Sequence, residues 1–445
     1  MTKAGRSGPD YDAVIIGAGA AGLAASAVLH AAGCRSLLLE ADCRIGGRAH
    51  TLHPAILGGA RFDAGATWLH QTDRNPLVCL ARARGIALRP AFRGGRRLLV
   101  EGRRATGAEA AAYDASRAAW ERLVTARADG PDCSLAEAGT ARADDPWTAS
   151  IENWDGAIIA AADATDLGLH DWRRNLLDDN NLSPPDGVGT LLATLLGPLV
   201  GPARLNAGVE RIAWHDGEPC VVQTGGGTVT ARAVIVTVST GVLRAHRIAF
   251  EPALPQTTAE ALDGLPMGLL SKLAIPVPDP VPGLDDETLI ERRVPRRGAP
   301  GMLVSVRPHG HCYASGFFGG RHAWSRAGQP DAALDEARTI LCEAEPGAVT
   351  GAGGYVTAWG TDPLFRGAYS YCRPGRAASR EMLGRPLGGG RLLFAGEACR
   401  TDGLAGTVGG ALFDGERAAQ AVLRCIMKLD SVPSLASAAE PRVHG

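Results

Sequence analysis

Gly17-Ala18-Gly19-Ala20-Ala21-Gly22 has the G-x-G-x-x-G spacing of a turn that presses backbone N–H groups against a pyrophosphate. Its glycines permit the tight turn, the close approach of the phosphates and the close packing of the helix that follows. With this glycine content such a match arises roughly once by chance, so its context decides. An apolar run, Tyr11 to Ile16, precedes it, and an Ala-rich helical stretch, Ala20 to Ala32, follows. A second apolar run, Ser36 to Glu40, then ends on a carboxylate where a ribose hydroxyl is held. Next comes Arg44-Ile45-Gly46-Gly47-Arg48, and then the segment FDAGATW ending at Trp68. A nicotinamide-binding unit would continue into its next helix and strand here. A glycine-arginine loop instead brings a guanidinium and more backbone amides toward the diphosphate, which favours FAD over NAD. Far along the chain, LFAGEA (Leu393 to Ala398) and GTVGGA (Gly406 to Ala411) open the last helix. Its N-terminal N–H groups would stabilise negative charge on the pyrimidine edge of a reduced flavin. Lys272, in MGLLSKLAIPV, is by its own pattern either an edge lysine snorkelling to solvent or a buried functional amine.

The elements that must position these residues begin with strand, helix and strand within about 30 residues, the βαβ unit. From Leu77 to Val200 the chain is Ala- and Arg-rich with helical periodicity, clearest in Glu109 to Arg127 and Val188 to Leu196. Ala207 to Phe250 returns to strands around the turn Gly225-Gly226-Gly227, and further strands are predicted at Leu273 to Pro278, Met302 to Val306, Cys312 to Phe318 and Arg391 to Ala395. The final helix is predicted over Gly409 to Cys425, and the Ser/Ala/Pro-rich tail, 429–445, as disordered.

At 445 residues the chain exceeds one ordinary core, so two domains are expected. Lys plus Arg (46) nearly balances Asp plus Glu (47), which weighs against nucleic acid and anionic membrane as partners. The polar N-terminus has no secretory apolar region and no run is long enough to span a bilayer, so a cytoplasmic protein is expected. Ten cysteines without metal-ligand spacing predict no metal site and no disulfide framework.

Together and in this order, GAGAAGL with LLLEA and RIGGR, GATWLH with Asn75-Pro76-Leu77, TVSTGVLR with FEPALP, the stretch from Trp359 to Tyr371, and FAGEA with GTVGGA resemble the flavin-containing amine oxidase family. The likeness is to its polyamine oxidase and histone-demethylase branch, and runs over most of Tyr11 to Ala419. It implies an α/β fold with a Rossmann-like FAD-binding domain assembled from segments 1–80, 201–265 and 389–428. A substrate domain of mixed sheet and helices is inserted as 81–200 and 266–388. FAD contacts are implied at Gly17, Gly19, Ala21, Gly22, Glu40, Arg48, Gly65, Thr67, Val209, Glu397, Thr407 and Val408. Lys272 matches the family lysine that holds a water beside flavin N5. Trp359 and Tyr369 match aromatic cavity walls, Tyr369 facing the flavin, and Trp68, His70 and Thr407 match substrate contacts. His70 and Asp73 lie where polyamine oxidases place polar contacts, and Asp178 and Asp179 form an acidic turn that is either a distant ammonium site or simply solvated.

There are departures. Thr407 stands where monoamine oxidases have a second tyrosine, Gly409 replaces a frequent histidine and Ser239 a usual proline. Ala368 precedes Tyr369, where monoamine oxidases carry a tethering cysteine, so non-covalent FAD is expected. The implied reaction moves a hydride equivalent from the carbon beside an uncharged amine to the flavin, yields an imine that water hydrolyses, and reduces O2 to H2O2. Rival readings are an L-amino acid oxidase, with Arg366 or Arg373 on the substrate carboxylate, a carbon-carbon desaturase, and a flavin-bound interaction protein without turnover. The oligomeric state is left open, a homodimer being one option.

Overall fold

A computed structural model describes residues 8–91, 94–178, 180–349, 351, 353–429 and 431–439. In chain order, the elements that position the site are strand β1 (Tyr11–Ile16), helix α1 (Ala20–Ala31), β2 (Ser36–Leu39), α2 (Leu169–Arg174), β3 (Gly227–Val236), β4 (Leu270–Pro276), β5 (Leu303–Val306), β6 (Tyr313–Gly319), β7 (Leu392–Phe394) and α3 (Val408–Cys425). They belong to a mixed α/β fold with several mixed sheets.

The larger sheet has eight strands in the order Ala249–Glu251, Val209–Ala213, Cys220–Thr224, β3, β1, β2, Ala203–Arg204, with β7 also on β3. β1 pairs in parallel with both β2 and β3, and β7 lies parallel to β3 through Val234 to Leu392 and Val236 to Phe394. Such central strands are covered on both faces and read as unbroken apolar runs. Accordingly Ala13, Val14, Ile15 and Ile16 are all buried. α1 packs on this sheet with α3 beside it. The crossing is so close that a Cβ on Gly415 would lie 2.0 Å from the Ala21 carbonyl oxygen, which is why small residues fill both helices there.

The second sheet has seven strands: Tyr355–Val356, β4, β6, β5, Leu289–Arg292, Arg96–Val100 and Arg103–Arg104. Its strands β4 to β6 hold a separate core including Leu273, Ile275, Val304, Val306 and Phe318, each buried side chain contributing about 1.5–3 kcal/mol relative to exposure. Arg96–Val100 departs from the helical reading of 77–200: its two arginines mask a strand whose Leu98, Leu99 and Val100 are buried. Helices do occupy most of that stretch, the longest being Gly107–Arg127 with a Thr106/Glu109 capping box.

One expectation is corrected. Within the tail taken as disordered, Leu435–Ala438 is a helical turn capped by Ser434, and Leu435, 1% exposed, joins the core packed on α1. Leu435, with Ala439 and Val432 beside it, docks an otherwise polar segment. Asp430 and residues 440–445 lie outside the described residues. Among the described residues, no helix is long and apolar enough to cross a membrane.

Candidate active site

A cavity of about 1010 Å³ runs between the two sheets. Ile16, Leu39 and the Gly17 turn line it from the larger sheet, while Leu270, Lys272, Leu303 and Phe317 line it from the second. At one end the chain reverses at Gly17, whose φ of +100° favours glycine, and enters α1. Gly22 faces the turn rather than the cavity: a Cβ there would lie 1.8 Å from the Gly17 carbonyl oxygen. Gly19 is the opposite case, its added Cβ meeting nothing within 4 Å, so its backbone borders open space. Glu40, just beyond β2, accepts N–H groups from Ala18 at 2.5 Å and from Asp42 at 2.8 Å. Burial raises its pKa against these bonds.

The Gly46–Gly47–Arg48 loop and the Gly65 segment meet with no room for a side chain, a Cβ on Gly65 falling 1.6 Å from the Arg48 carbonyl oxygen. Arg48 donates to the Ala368 carbonyl at 2.7 Å and to Glu397 at 2.9 Å. Glu397 also accepts the Ser370 N–H at 3.1 Å and its hydroxyl at 2.7 Å. Ser370 in turn accepts from Arg380, at 2.9 Å on its hydroxyl and 3.1 Å on its carbonyl. Arg380 completes the chain with a bidentate pair to Asp171 on α2, at 2.7 and 2.8 Å. This relay ties the β7 turn, which carries Glu397, to a helix of the other half of the molecule. Sequence reasoning missed Arg380, Asp171 and Ser370, and no local signal marks them.

The Arg380–Asp171 pair is almost wholly buried, with side chains 2% and 4% exposed. Burial pushes the Asp171 pKa up, but the Arg380 charge and hydrogen bonds more than offset that and leave it lowered. The stabilisation is therefore present at neutral pH and lost as pH falls below the ordinary carboxylate range. Asp171→Ala strands a buried guanidinium and is expected to cost about 3–5 kcal/mol, read as an earlier denaturant midpoint at unchanged slope. A midpoint equal to the parent's would remove the pair from any structural account.

At the other end Lys272 lies on β4, 6% exposed. Its ammonium donates to the Asp63 carbonyl at 3.1 Å, the Gly65 carbonyl and the Thr67 hydroxyl, and stands 5.6 Å from the centre of the Phe317 ring. Burial lowers its pKa to about 8, with the Asp63 charge opposing. Phe317 is its direct cross-strand partner and stacks on Trp68, centroids 5.6 Å apart. Trp359 donates its indole N–H to Ala64 at 2.9 Å, and Tyr369 its hydroxyl to Ile159 at 3.0 Å. His70 contacts Asn181 at 2.6 Å, and burial lowers its pKa. Thr407 caps α3 by accepting from Gly410 at 3.0 Å, so the helix N-terminus opens on the cavity.

The structure thus brings Gly17, Gly19, Ala21, Glu40, Arg48, Gly65, Thr67, Trp68, His70, Val209, Lys272, Trp359, Tyr369, Glu397, Thr407 and Val408 to one cavity, and leaves Gly22 behind its wall. Asp178 lines it, Asp73 does not, and Asp179 lies outside the described residues. Trp154, Arg117 and Asp155, unmarked in the sequence, form its far wall, Arg117 pairing with Asp155 at 3.6 Å.

Comparison with known proteins gives the same direction. The sequence model of a family described as flavin containing amine oxidoreductase matches residues 20–423. The chain is 27% identical over 475 residues to Arabidopsis thaliana probable polyamine oxidase 4, covering 93% of this chain and 87% of that one. It is 28% identical over 445 residues to lysine-specific histone demethylase 1 homolog 2 of Oryza sativa subsp. japonica, covering 92% of this chain and 56% of the relative. In fold it is similar to a solved structure of putrescine oxidase bound to putrescine, with a TM-score of 0.75 at 21% identity, covering 93% of this chain and 99% of that one.

Proposed function

Since the chain belongs to the flavin-containing amine oxidoreductase family, we propose that it is an FAD-dependent amine oxidase acting on a small polyamine-like or other primary or secondary amine, with O2 as electron acceptor. The observation that carries this reading is the single cavity of about 1010 Å³ joining the Gly17 turn to the buried amine of Lys272. That volume lies at the top of the ~300–1,000 Å³ usual for ligand sites, which suits a long cofactor together with a small substrate.

The residues present fit FAD. Open space above Gly19 and Gly396, where an added Cβ meets nothing, leaves backbone for phosphate and flavin edges to approach. In this reading segments 1–80, 201–265 and 389–428 hold the cofactor jointly. The glycine turn takes the diphosphate, Glu40 the adenosine ribose, and the Arg48–Glu397 pair the chain between. When bound, FAD would supply the two-electron acceptor, with O2 as the terminal oxidant. The α3 N-terminus at Thr407 and Val408 places partial positive charge at the cavity wall. Trp68, Trp359, Tyr369 and Phe317 exclude water and offer ring faces to an entering ammonium. His70, its pKa lowered, accepts or donates without adding charge. Lys272 holds a proton, or a water, at the end of the cavity lined by these aromatics.

The amino acid oxidase alternative gains nothing from its two candidate arginines, as neither Arg366 nor Arg373 lines the cavity. Of the four arginines that do, Arg48, Arg117 and Arg380 are each paired with a carboxylate, and Arg247 is exposed. Anaerobic mixing of the flavoprotein with diamines, polyamines, benzylamine, a methyl-lysine peptide and L-amino acids tests the reading. Rapid flavin bleaching by amines is expected, faster at higher pH as the neutral amine is populated. Bleaching by amino acids alone, or by nothing in the panel, would overturn it.

Non-covalent attachment is part of the same reading. Cys372 and Cys399 are the thiols nearest Tyr369 and Glu397 in sequence, yet neither lines the cavity, and burial pushes the Cys372 thiol up to about 12. Acid precipitation is expected to release intact FAD into the supernatant. Flavin retained on a peptide, seen by mass spectrometry, would contradict this.

A further inference from the structure

Lys272, Thr67, Trp68 and Phe317 are walls of two spaces, the main cavity and a second chamber of about 40 Å³. Roughly 10–15 Å³ is enough for one water provided polar partners surround it. Here they do. Arg61, Asp63, Ser305, Ser315 and Tyr313 line the chamber, and all five are buried. Asp63 Oδ2 and Arg61 Nε are buried without a hydrogen-bond partner among the described residues. Leaving such atoms dry costs about 1–3 kcal/mol each, so water is the natural occupant.

The sheet explains the polarity. Lys272 pairs with Phe317, and Phe317 with Leu303. Two residues along the same face, Ser315 pairs with both Ala274 and Ser305. The face changes from apolar, where it meets the main cavity, to hydroxyl-bearing behind it. Its outer end is the pair of His309 and Glu287, 3.4 Å apart, with side chains 14% and 13% exposed. His309, Glu287 and the adjoining Arg307 all have positive φ, an unusual run of strained non-glycine backbone at the chamber's edge.

Resting on the flavin reading above, we propose that this chamber is a hydrated proton relay carrying one solvent proton per turnover from the His309–Glu287 pair to Lys272. Reduction of O2 to H2O2 takes two electrons and two protons. The hydride equivalent taken from the amine carries both electrons and one proton; the amine nitrogen sheds its own proton as the imine forms, so the second proton has to be delivered to the oxygen in a separate step. In the proposed step a Lys272 N–H bond breaks as an O–H bond forms on the reduced oxygen. The freed amine lone pair then takes a proton from chamber water, which is resupplied from the His309–Glu287 pair. An amine titrating near 8 can both give and regain a proton near neutral pH.

Two measurements test this on the holoenzyme. A high-resolution crystal structure is expected to show ordered water bonded to Asp63 Oδ2 and the Ser315 hydroxyl, and a dry chamber would overturn the proposal. In stopped flow, enzyme reduced with dithionite and mixed with O2 is expected to reoxidise roughly ten-fold more slowly in Ser315→Val and in Ser305→Val, with a larger solvent deuterium isotope effect. Anaerobic reduction by an amine substrate should be unchanged in both. Reoxidation at the parent rate in the variants would equally overturn it. The two serines stand on different strands, so loss of flavin by one variant leaves the other to decide. Dithionite reduces flavin whatever the substrate, so this test can fail while the amine reading stands, and the reverse.

Discussion

Glu40→Ala is expected to purify largely without FAD, or to release it on dilution. The carboxylate has two roles that alanine cannot fill. It accepts the Ala18 and Asp42 N–H groups and so braces the glycine turn from the end of β2, and in the proposed complex it receives the ribose hydroxyls. A hydrogen bond to a charged acceptor is worth about 1.5–3 kcal/mol, so losing the ribose contact alone weakens binding roughly ten- to a hundred-fold. Loosening the turn adds to that. The check is the flavin-to-protein absorbance ratio after purification, followed by titration of added FAD. Full occupancy with parental affinity would mean that the turn holds something other than this dinucleotide.

Lys272→Met should keep FAD, since the lysine contacts Asp63, Gly65 and Thr67 rather than the glycine turn, and the two side chains are similar in volume. Reaction with O2 should slow by roughly a hundred-fold, the lower range for loss of a positioned proton donor. The pH dependence is more diagnostic. Because burial holds the amine near 8, the parental reoxidation rate is expected to fall as pH rises through about that value, where the cation is lost. In the methionine variant that step should vanish. Stability has the opposite sign. A lysine whose pKa is lower folded than unfolded destabilises the protein fully below pH 8, and the penalty is relieved between about 8 and 10.5. The flavin-free variant is therefore expected to melt above the parent at pH 7, by an amount that shrinks toward pH 10.5. Equal reoxidation rates and equal melting across pH would return Lys272 to the role of an ordinary packed side chain.

Much of the adenine end was legible because local backbone geometry dictates residue type. A turn with φ of +100° at Gly17, open space beside Gly19 and a carboxylate closing the second strand must fall at fixed spacing, and one sequence window contains them all. Even there Gly22, read as a contact, does not line the cavity and packs against the Gly17 carbonyl. Lys272 was legible only by likeness, since a lysine in an apolar strand has the same pattern whether it ends in solvent or in a cavity. The Asp171–Arg380 pair was illegible: its members are 209 residues apart, and charged residues in LHDWRR and AASREM look solvated until the fold brings them together. The strand Arg96–Val100 was hidden for a related reason, its parallel partner Leu289–Arg292 lying far downstream.

The C-terminal half of the central strand β3 borrows its neighbours from the two ends of the chain, β1 near the start and β7 near the finish. During synthesis its Val234, Ile235 and Val236, fully shielded in the finished protein, must wait for residues 392–394 to leave the ribosome before that edge is covered. Distant pairing of this kind is slow to nucleate and leaves apolar strand edges exposed to other chains meanwhile. Chains truncated anywhere between β3 and β7 should consequently be prone to aggregation and dependent on chaperones. A ribosome-stalling series would show protease resistance of the first 236 residues rising only once β7 and α3 have emerged.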